Sequence, residues 1–357
     1  MTAAGPQPLM GLSPLAATVD RFLVTYFPSK KSRFLVACSG GADSVALVHA
    51  LGEIARARKL HVEIGHVNHG LRGKESNGDQ RFVEKLAGDM GWPIHIARCP
   101  VPSAGNVEER ARESRYKALF STARRRRLQA VLTAHTVGDQ AETVLMNLFR
   151  GSGAEGLAGM RPLRVDSAGR DIVARPLLTV DRAVVRAYGQ AKGPFRTDRS
   201  NSDQKFFRNY VRLNLFEQVN RRVPGFEQRI ARLAELLRDE LPILEGLADK
   251  AHHEVGQPYK GGWLLDRRRF DRLPVAIQRR VLRRAAGRDL LTFDGVEGLR
   301  SWLASPPKSG RVWQLRKGWV VERLSKSGGS PSPTMFWFRQ TPSASKRART
   351  LESKKGR

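Results

Sequence analysis

The run Arg33-Phe-Leu-Val-Ala-Cys38, followed at once by Ser39-Gly40-Gly41-Ala42-Asp43-Ser44, decides how the whole chain is read. Its first half has the length and apolar content of a buried strand, and from Asp43 to Ile54 the apolar positions recur at helical spacing. Two glycines between strand and helix permit a sharp turn and let the backbone approach a ligand that side chains would block. The first N–H groups of the helix lack intrahelical partners, and the hydroxyls of Ser39 and Ser44 add donors. The segment reads as an anion pocket sized for phosphate. It is not a Walker loop, because Gly-Lys-Ser/Thr occurs nowhere in the chain.

Strand-like and helix-like stretches alternate outward from this turn. Leu60 to Val67, Pro93 to Ala97 and Ala130 to Ala134 read as strands; Gln80 to Met90, Val107 to Arg127 and Ala141 to Arg150 read as helices. That rhythm predicts an α/β fold, a parallel sheet with helices on both faces. After residue 150 it changes. Gly151 to Met160 reads as a glycine-rich loop, Ile172 to Val180 as a short extended segment and Asp181 to Ala191 as a helix. A mostly helical region runs from Phe206 to Glu254, broken at Pro224-Gly225. Beyond it, helices (Pro274 to Ala286, Val296 to Ala304) mix with short strands near Trp313 and Trp319, and five of the six tryptophans lie past residue 260. A separate, small, basic α+β domain is expected there. The expected organisation is a lead-in with a helix over 1–30, a nucleotide-binding catalytic domain over 31–225, a basic C-terminal region over 226–340 and a disordered basic tail over 341–357. No internal repeat is evident.

The 357 residues carry 63 Lys+Arg against 34 Asp+Glu, a formal charge of +29, while 40% are hydrophobic, enough for a real core. The surplus is spread over residues 1–225 (35 basic, 20 acidic) and 226–357 (28 and 14), so the smaller part is the more densely positive. A polyanionic partner follows, with nucleic acid ahead of an anionic membrane surface. Two cysteines, Cys38 and Cys99, exclude a disulfide scaffold, a four-cysteine zinc site and a cysteine-ligated iron–sulfur cluster. They suit a reducing cytoplasm. No stretch of about 18 apolar residues is present, and the first 20 residues lack Lys and Arg. A cytoplasmic protein with no membrane association is the expectation.

Four further segments carry chemistry. His66-Val-Asn-His-Gly-Leu-Arg-Gly73 ends the second strand, where parallel sheets bind ligands, so His66, Asn68, His69 and Arg72 are placed towards a nucleotide. On the long helix, Arg112, Arg115 and Tyr116 share one face, and arginine forks suit phosphate. Thr133-Ala-His135 ends the fourth strand, and Asp139 and Glu142 follow on the first turn of a helix, able to hold Mg²⁺ through oxygen or to steer an ammonium group. Acidic residues in a first turn also suit the helix dipole alone. Gly151-Ser-Gly-Ala-Glu-Gly156 matches G-x-G-x-x-G by letter but follows a helix, so it is no dinucleotide fingerprint. His49 and the pair His252-His253 read as surface or core residues.

The pattern Ser39-Gly-Gly-x-Asp-Ser44 resembles the loop of the PP-loop ATP pyrophosphatases. Taken in order with His66–Gly73, Arg112–Leu119, Ala134–Met160, Asp198-Arg-Ser-Asn201 and Arg208-Asn-Tyr-Val-Arg212, the chain closely resembles the tRNA(Ile)-lysidine synthetases over about residues 30–220. Two positions depart from that family's usual Ala-His-His-x-Asp-Asp-Gln-x-Glu-Thr: Thr136 replaces the second histidine and Gly138 the first aspartate. The proline usual after the Arg-Asn segment is also absent, Phe216-Glu217 standing there.

The resemblance implies a Rossmann-like PP-loop domain and a ligase. Such an enzyme adenylates the C2 oxygen of the cytidine at the first anticodon position of the CAU-anticodon isoleucine tRNA. Free L-lysine then displaces AMP, changing codon specificity from AUG to AUA. ATP would lie on Ser39, Gly40, Gly41, Ala42, Asp43, Ser44, His66, Arg112 and His135, with Mg²⁺ on Asp43 and Asp139. Catalysis would rest on Asp43, Arg115, Asp139 and Glu142, and tRNA contacts on Lys205, Arg208, Asn209 and Arg212. A homodimer is left open. Two alternatives stand beside this reading: a PP-loop tRNA thiolase, which the wide separation of Cys38 and Cys99 in sequence counts against, and a non-catalytic RNA-binding protein.

Overall fold

The computed structural model describes residues 9–29, 31–68, 70, 74–100, 107–196, 207–287, 291–306, 312–325 and 331–341. The chain divides into two compact units, Met1–Arg238 and Asp239–Arg357.

In the first unit, α1 (Pro14–Tyr26) precedes β1 (Arg33–Ala37), α2 (Ala42–Arg58), β2 (His61–Asn68), α3 (Lys74–Met90), β3 (Ile94–Arg98), α4 (Val107–Arg125), β4 (Ala130–Leu132) and α5 (Val137–Phe149). The short α6 (Ala154–Leu157) follows, then β5 (Leu163–Val165), β6 (Ile172–Ala174) and α7 (Arg182–Lys192). Next come α8 (Phe207–Tyr210), a wide π-type turn over Val211–Leu215, α9 (Phe216–Arg222) and the start of α10 (Phe226–Val255). The sheet runs β3-β2-β1-β4-β6-β5. Pairs β3–β2, β2–β1, β1–β4 and β4–β6 are parallel, whereas β5 pairs antiparallel with β6 at the edge. The expected sheet is therefore parallel but for this edge hairpin, and the Gly151–Met160 loop contains one helical turn, α6.

Strand alternation sorts the helices between the two faces. Phe34 and Val36 of β1 join Leu15 and Val19 of α1, Leu47 and Leu51 of α2, Val83 of α3 and Val185 of α7 in one core. Leu35, between them, points the other way and packs with Val131 and with Leu119 and Ala123 of α4. Gly65 lets α4 come close, since a Cβ there would sit 2.7 Å from Leu119 Cδ2. A third cluster joins Ala141 of α5 to Val211, Phe216 and Phe226 and so fixes the helical segment after α7 against α5.

The second unit has its own core. An antiparallel sheet, β7 (Gly256–Tyr259), β8 (Gly262–Asp266), β11 (Pro331–Gln340), β10 (Trp319–Ser325) and β9 (Val312–Gln314) in spatial order, packs with α11 (Arg267–Phe270), α12 (Val275–Ala286) and α13 (Phe293–Ala304). Arg323 lies fully buried there, donating to the carbonyls of Trp302 and Ser305 at 2.6 and 3.0 Å and lying over the Trp302 ring. Among the described residues, no helix is long and apolar enough to cross a membrane.

One buried ionic cluster ties the α4 face together. Glu63 of β2 has no exposed surface and accepts from His61 Nε2 (2.6 Å), His95 Nε2 (2.5 Å), Arg126 Nε (3.1 Å) and Arg126 Nη2 (3.2 Å). Burial opposes its ionisation, but the hydrogen bonds from Arg126, His61 and His95 outweigh it and hold the pKa down from 4.5 to about 2. A depressed carboxylate contributes stability that is present above the unfolded value and lost as pH falls through the folded one. Urea unfolding across pH is expected to show this loss between about 4.5 and 2. Glu63→Gln is expected to cost about 1–3 kcal/mol near neutrality and to flatten that acid limb, because a neutral amide loses the charge-assisted hydrogen bonds that the buried carboxylate accepts from Arg126, His61 and His95.

Candidate active site

Strand order reverses direction between β1 and β4, so the site described next lies at the carboxyl edge where the chain winds away to both sides. After β1, Gly40 takes φ +90°, a conformation that favours glycine, and Gly41 caps α2 without a side-chain hydrogen bond. The hydroxyls organise the loop: Ser44 Oγ donates to the Gly41 carbonyl (2.9 Å), Ser39 N donates to Ser44 Oγ and Gly41 N to Ser39 Oγ (both 3.3 Å). These bonds hold the turn open over the helix N-terminus, as an anion cradle requires. The backbone N–H of Arg196 donates to the Gly40 carbonyl at 2.9 Å, pinning the loop from the far side.

This cradle lines a cavity of about 730 Å³, which also receives His66 and Asn68 from β2, Arg115 and Tyr116 from α4, Thr133 and His135 from the segment that follows β4, and Asp139, Arg182, Arg186, Arg196 and Arg212. Its size suits a nucleotide with part of a second substrate. His66 is buried, and its Nδ1 donates to the Cys38 carbonyl at 2.9 Å. His135 Nδ1 lies 2.8 Å from Thr133 Oγ1, and burial pushes its pKa well down, so the ring is neutral near pH 7.

The acidic pair predicted from sequence is present but not open. Asp139 closes a capping box at the start of α5, its Oδ2 accepting from Thr136 N (2.8 Å) and Oγ1 (3.1 Å), while Oδ1 accepts from Arg182 (2.7 Å) and Arg212 (3.1 Å). Glu142 has no exposed surface and meets three guanidiniums: Arg212 Nε at 2.5 Å, Arg208 Nε at 3.0 Å and Arg182 Nη1 at 3.4 Å. Burial would raise the Asp139 carboxyl, but Arg182 chiefly holds it below the usual range. Asp43 behaves oppositely. Burial raises it, the Asp139 charge adds to the rise, and Arg182, 3.8 Å away, offsets only part. Asp43 Oδ1 is buried without a hydrogen-bond partner. A divalent cation would satisfy that oxygen, whereas Asp139 would have to exchange a guanidinium contact for the ion. Among the described residues no cluster of three or more acidic, His or Cys side chains forms a ready metal site.

Of the residues expected from sequence, Ser39, Gly41, Ala42, Asp43, Ser44, His66, Arg115, His135, Asp139 and Arg212 line this one cavity. Gly40 shapes the loop, and Glu142 and Arg208 join Asp139 through the arginine network. Arg112 does not line the cavity; it sits beside the Tyr116 ring, 5.3 Å from its centroid. Asn209 is half-buried on α8, one residue from Arg208. Lys205, His69, Arg72 and Asp198–Asn201 lie outside the described residues. Sequence reasoning missed Arg182, the cation that touches Asp43, Asp139 and Glu142 together. Its only signal is an arginine one residue past Asp181, the N-cap of α7.

The fold and loop define a PP-loop nucleotide-binding protein, and a family described as the PP-loop domain matches residues 14–219. Among curated proteins, the tRNA(Ile)-lysidine synthase of Geobacter sulfurreducens is 37% identical over 78% of this chain and 61% of its own length. That of Gloeobacter violaceus is 39% identical over 82% of this chain and 88% of its own, and that of Thermus thermophilus 34% identical over 91% and 64%. The chain belongs to the tRNA(Ile)-lysidine synthase family. It spans about three fifths of the length of the first of these relatives. The fold also resembles a U34-tRNA thiolase of Methanococcus maripaludis carrying a [4Fe-4S] cluster (TM-score 0.51, 19% identity, 63% of this chain and 78% of that one).

Gly138 acquires a physical meaning in this setting. A Cβ there would lie 2.9 Å from Glu227 Oε2 and 3.4 Å from Arg182 Cζ, so the Glu227 carboxylate of α10, held by Asn220 at 2.8 Å, fills the space above the glycine. Gly138→Asp is expected to be tolerated better when Glu227 is also changed to Gln. A double-mutant cycle in urea should read a favourable coupling of roughly 0.5–3 kcal/mol; independent effects of the two changes would refute the juxtaposition.

Proposed function

We propose that this chain ligates L-lysine to C2 of the cytidine at the first anticodon position of the CAU-anticodon isoleucine tRNA, consuming ATP. The observation that carries this reading is the meeting, in one cavity, of a phosphate cradle and a carboxylate–arginine network. An ATP pyrophosphatase needs the first, and a zwitterionic amino acid is matched by the second, whose guanidiniums suit its carboxylate and whose carboxylates suit its ammonium.

In the first step the C2 oxygen attacks the α-phosphate and pyrophosphate leaves. The α2 N-terminus and the Ser39 and Ser44 hydroxyls hold the departing phosphates. Asp43, with its unpartnered oxygen, and Asp139 would hold Mg²⁺, which when bound neutralises charge on pyrophosphate. In the second step the lysine ε-amine attacks C2 and the C2–O bond breaks, with AMP carrying away the oxygen. The ammonium must first lose a proton, and its free pKa is about 10.4. Asp139 or Glu142 orients it after exchange with a guanidinium, and the proton leaves to solvent. Arg115 and His66 position the nucleotide. Lys205, Arg208, Asn209, Arg212 and the basic C-terminal region contact the tRNA.

Sulfur transfer is the weaker reading. Cys38 is buried beneath the loop, 3.7 Å from Ser44 Oγ, and burial raises its thiol pKa, which opposes the thiolate such chemistry uses.

Purified protein with ATP, Mg²⁺, radiolabelled lysine and a CAU-anticodon isoleucine tRNA is expected to place label in the RNA in proportion to AMP formed. Asp43→Ala should lower that rate by about 10²-fold or more while leaving tRNA affinity within a factor of about two. Sulfur incorporation instead of lysine would favour the thiolase reading, and tRNA binding with no ATP turnover would favour a binding protein.

A further inference from the structure

Three arginines converge around Tyr116, a residue that lines the cavity. The Arg112 and Arg164 guanidinium carbons stand 5.3 and 5.5 Å from the Tyr116 ring centroid. Arg175, the residue that follows β6, is 3% exposed and close enough to Arg112 and Arg164 for their charges to bear on its own. Among the described residues none of the three is ion-paired to a carboxylate. Arg175 Nη1 donates to the Arg161 carbonyl at 2.7 Å, but its Nε is buried without a partner.

That arrangement is unfavourable as it stands. Guanidinium cannot relieve repulsion by deprotonating near neutral pH, and a buried one costs more still without a counter-charge. Burial pushes Arg175 down from its ordinary value; the Tyr116 hydroxyl, its hydrogen-bond partner, offsets part of this, while Arg164 and Arg112 add to it. Four other arginines of this unit with little exposure or a buried partner are matched: Arg182 and Arg212 by Asp139 and Glu142, Arg126 by Glu63, Arg58 by Asp20. A cationic cluster left unmatched beside a cavity calls for an anion from outside.

We propose that Arg112, Arg164 and Arg175, gathered around Tyr116, form a phosphate-binding cage for the backbone of the substrate RNA next to the nucleotide being modified. This rests on the reading that the substrate is RNA. The chemistry selects a phosphate, because the forks of several arginines bond its oxygens together. ATP already has its own cradle at the end of β1, whereas the cage is built from β5, the residue after β6 and α4 around Tyr116. Edge strand β5 carries Arg164, which is exposed and open to a large ligand. Tyr116 lines the cavity and lies against Arg112 and Arg164, and the Arg112 and Arg175 charges bear on His135 of the cavity lining, so a phosphodiester held there leaves its neighbouring nucleotide at the cavity.

The test measures affinity of the full chain for a CAU anticodon stem-loop RNA against salt concentration, alongside affinity for ATP. Arg164→Gln is expected to weaken RNA binding several-fold and to lower the log–log salt slope by about one, with ATP affinity unchanged. Arg164→Gln with Arg175→Gln should lower the slope by about two, provided its circular dichroism melt shows a folded protein; the single exposed variant suffices if it does not. Loss of ATP affinity in place of RNA affinity would overturn the assignment to RNA. An unchanged slope in Arg164→Gln with the wild type still binding would overturn the cage alone. A wild type that binds no RNA would instead overturn the reading in the preceding section.

Discussion

Glu142, with no exposed surface, is surrounded by guanidiniums from two separate stretches of chain, and the site depends on that contact. Arg182 comes from the first turn of α7, and Arg208 and Arg212 from α8 and the wide turn after it. Each would be costly to bury alone; together with Asp139 and Asp43 they balance to roughly zero net charge. Because α5 carries both Asp139 and Glu142 and begins just beyond β4, the network fixes α7 and the α8–α9 segment against the carboxyl edge of the sheet. The phosphate loop is thereby walled on its open side. Arg182, which reaches Asp43 as well, is the joint between cradle and network.

The wide turn at Val211–Leu215 serves the same end. An extra residue per turn displaces side chains from their regular helical positions, and such turns recur at functional sites. Here Val211 faces the core formed with Ala141 and Phe216, while its neighbour Arg212 reaches Asp139 and Glu142. Packing and ion pairing thus draw on adjacent residues.

What the sequence made readable and what it hid follow from the range of each interaction. The Ser39–Ser44 turn was legible because phosphate binding there depends on backbone conformation, which two glycines and two hydroxyls announce locally. The alternation of β1 through α5 was legible for the same reason. Arg182 and Glu227 were not, since each owes its place to a partner about 40 or 90 positions away in sequence, and one sequence carries no sign of such pairing. In the second unit β7 and β8 escaped notice because their hairpin turns through Lys260-Gly261, both with positive φ, in place of the Asn-Gly or Asp-Gly that marks such turns more strongly. Strand β11 contains two prolines near its start, which reads as a break in a strand unless its pairing with β8 and β10 is known.

The overall charge of +29 sets a problem that the local arrangement answers. A polyanion is drawn in by the whole surface, but an ammonium-bearing substrate is repelled by the same field. At physiological salt the field of exposed charges fades over about 8 Å, so a local grouping can prevail inside a cavity. Asp43, Asp139 and Glu142 supply that grouping, and three of the nearest arginines neutralise it until another cation arrives. Around Tyr116 the balance is reversed, with three arginines and no paired carboxylate among the described residues. Neighbouring parts of the site therefore favour opposite charges. Under the proposed ligation, which brings an amine and an RNA phosphodiester to the same nucleotide, that grouping matters, because either charge spread evenly over the cavity would exclude one of the two reactants.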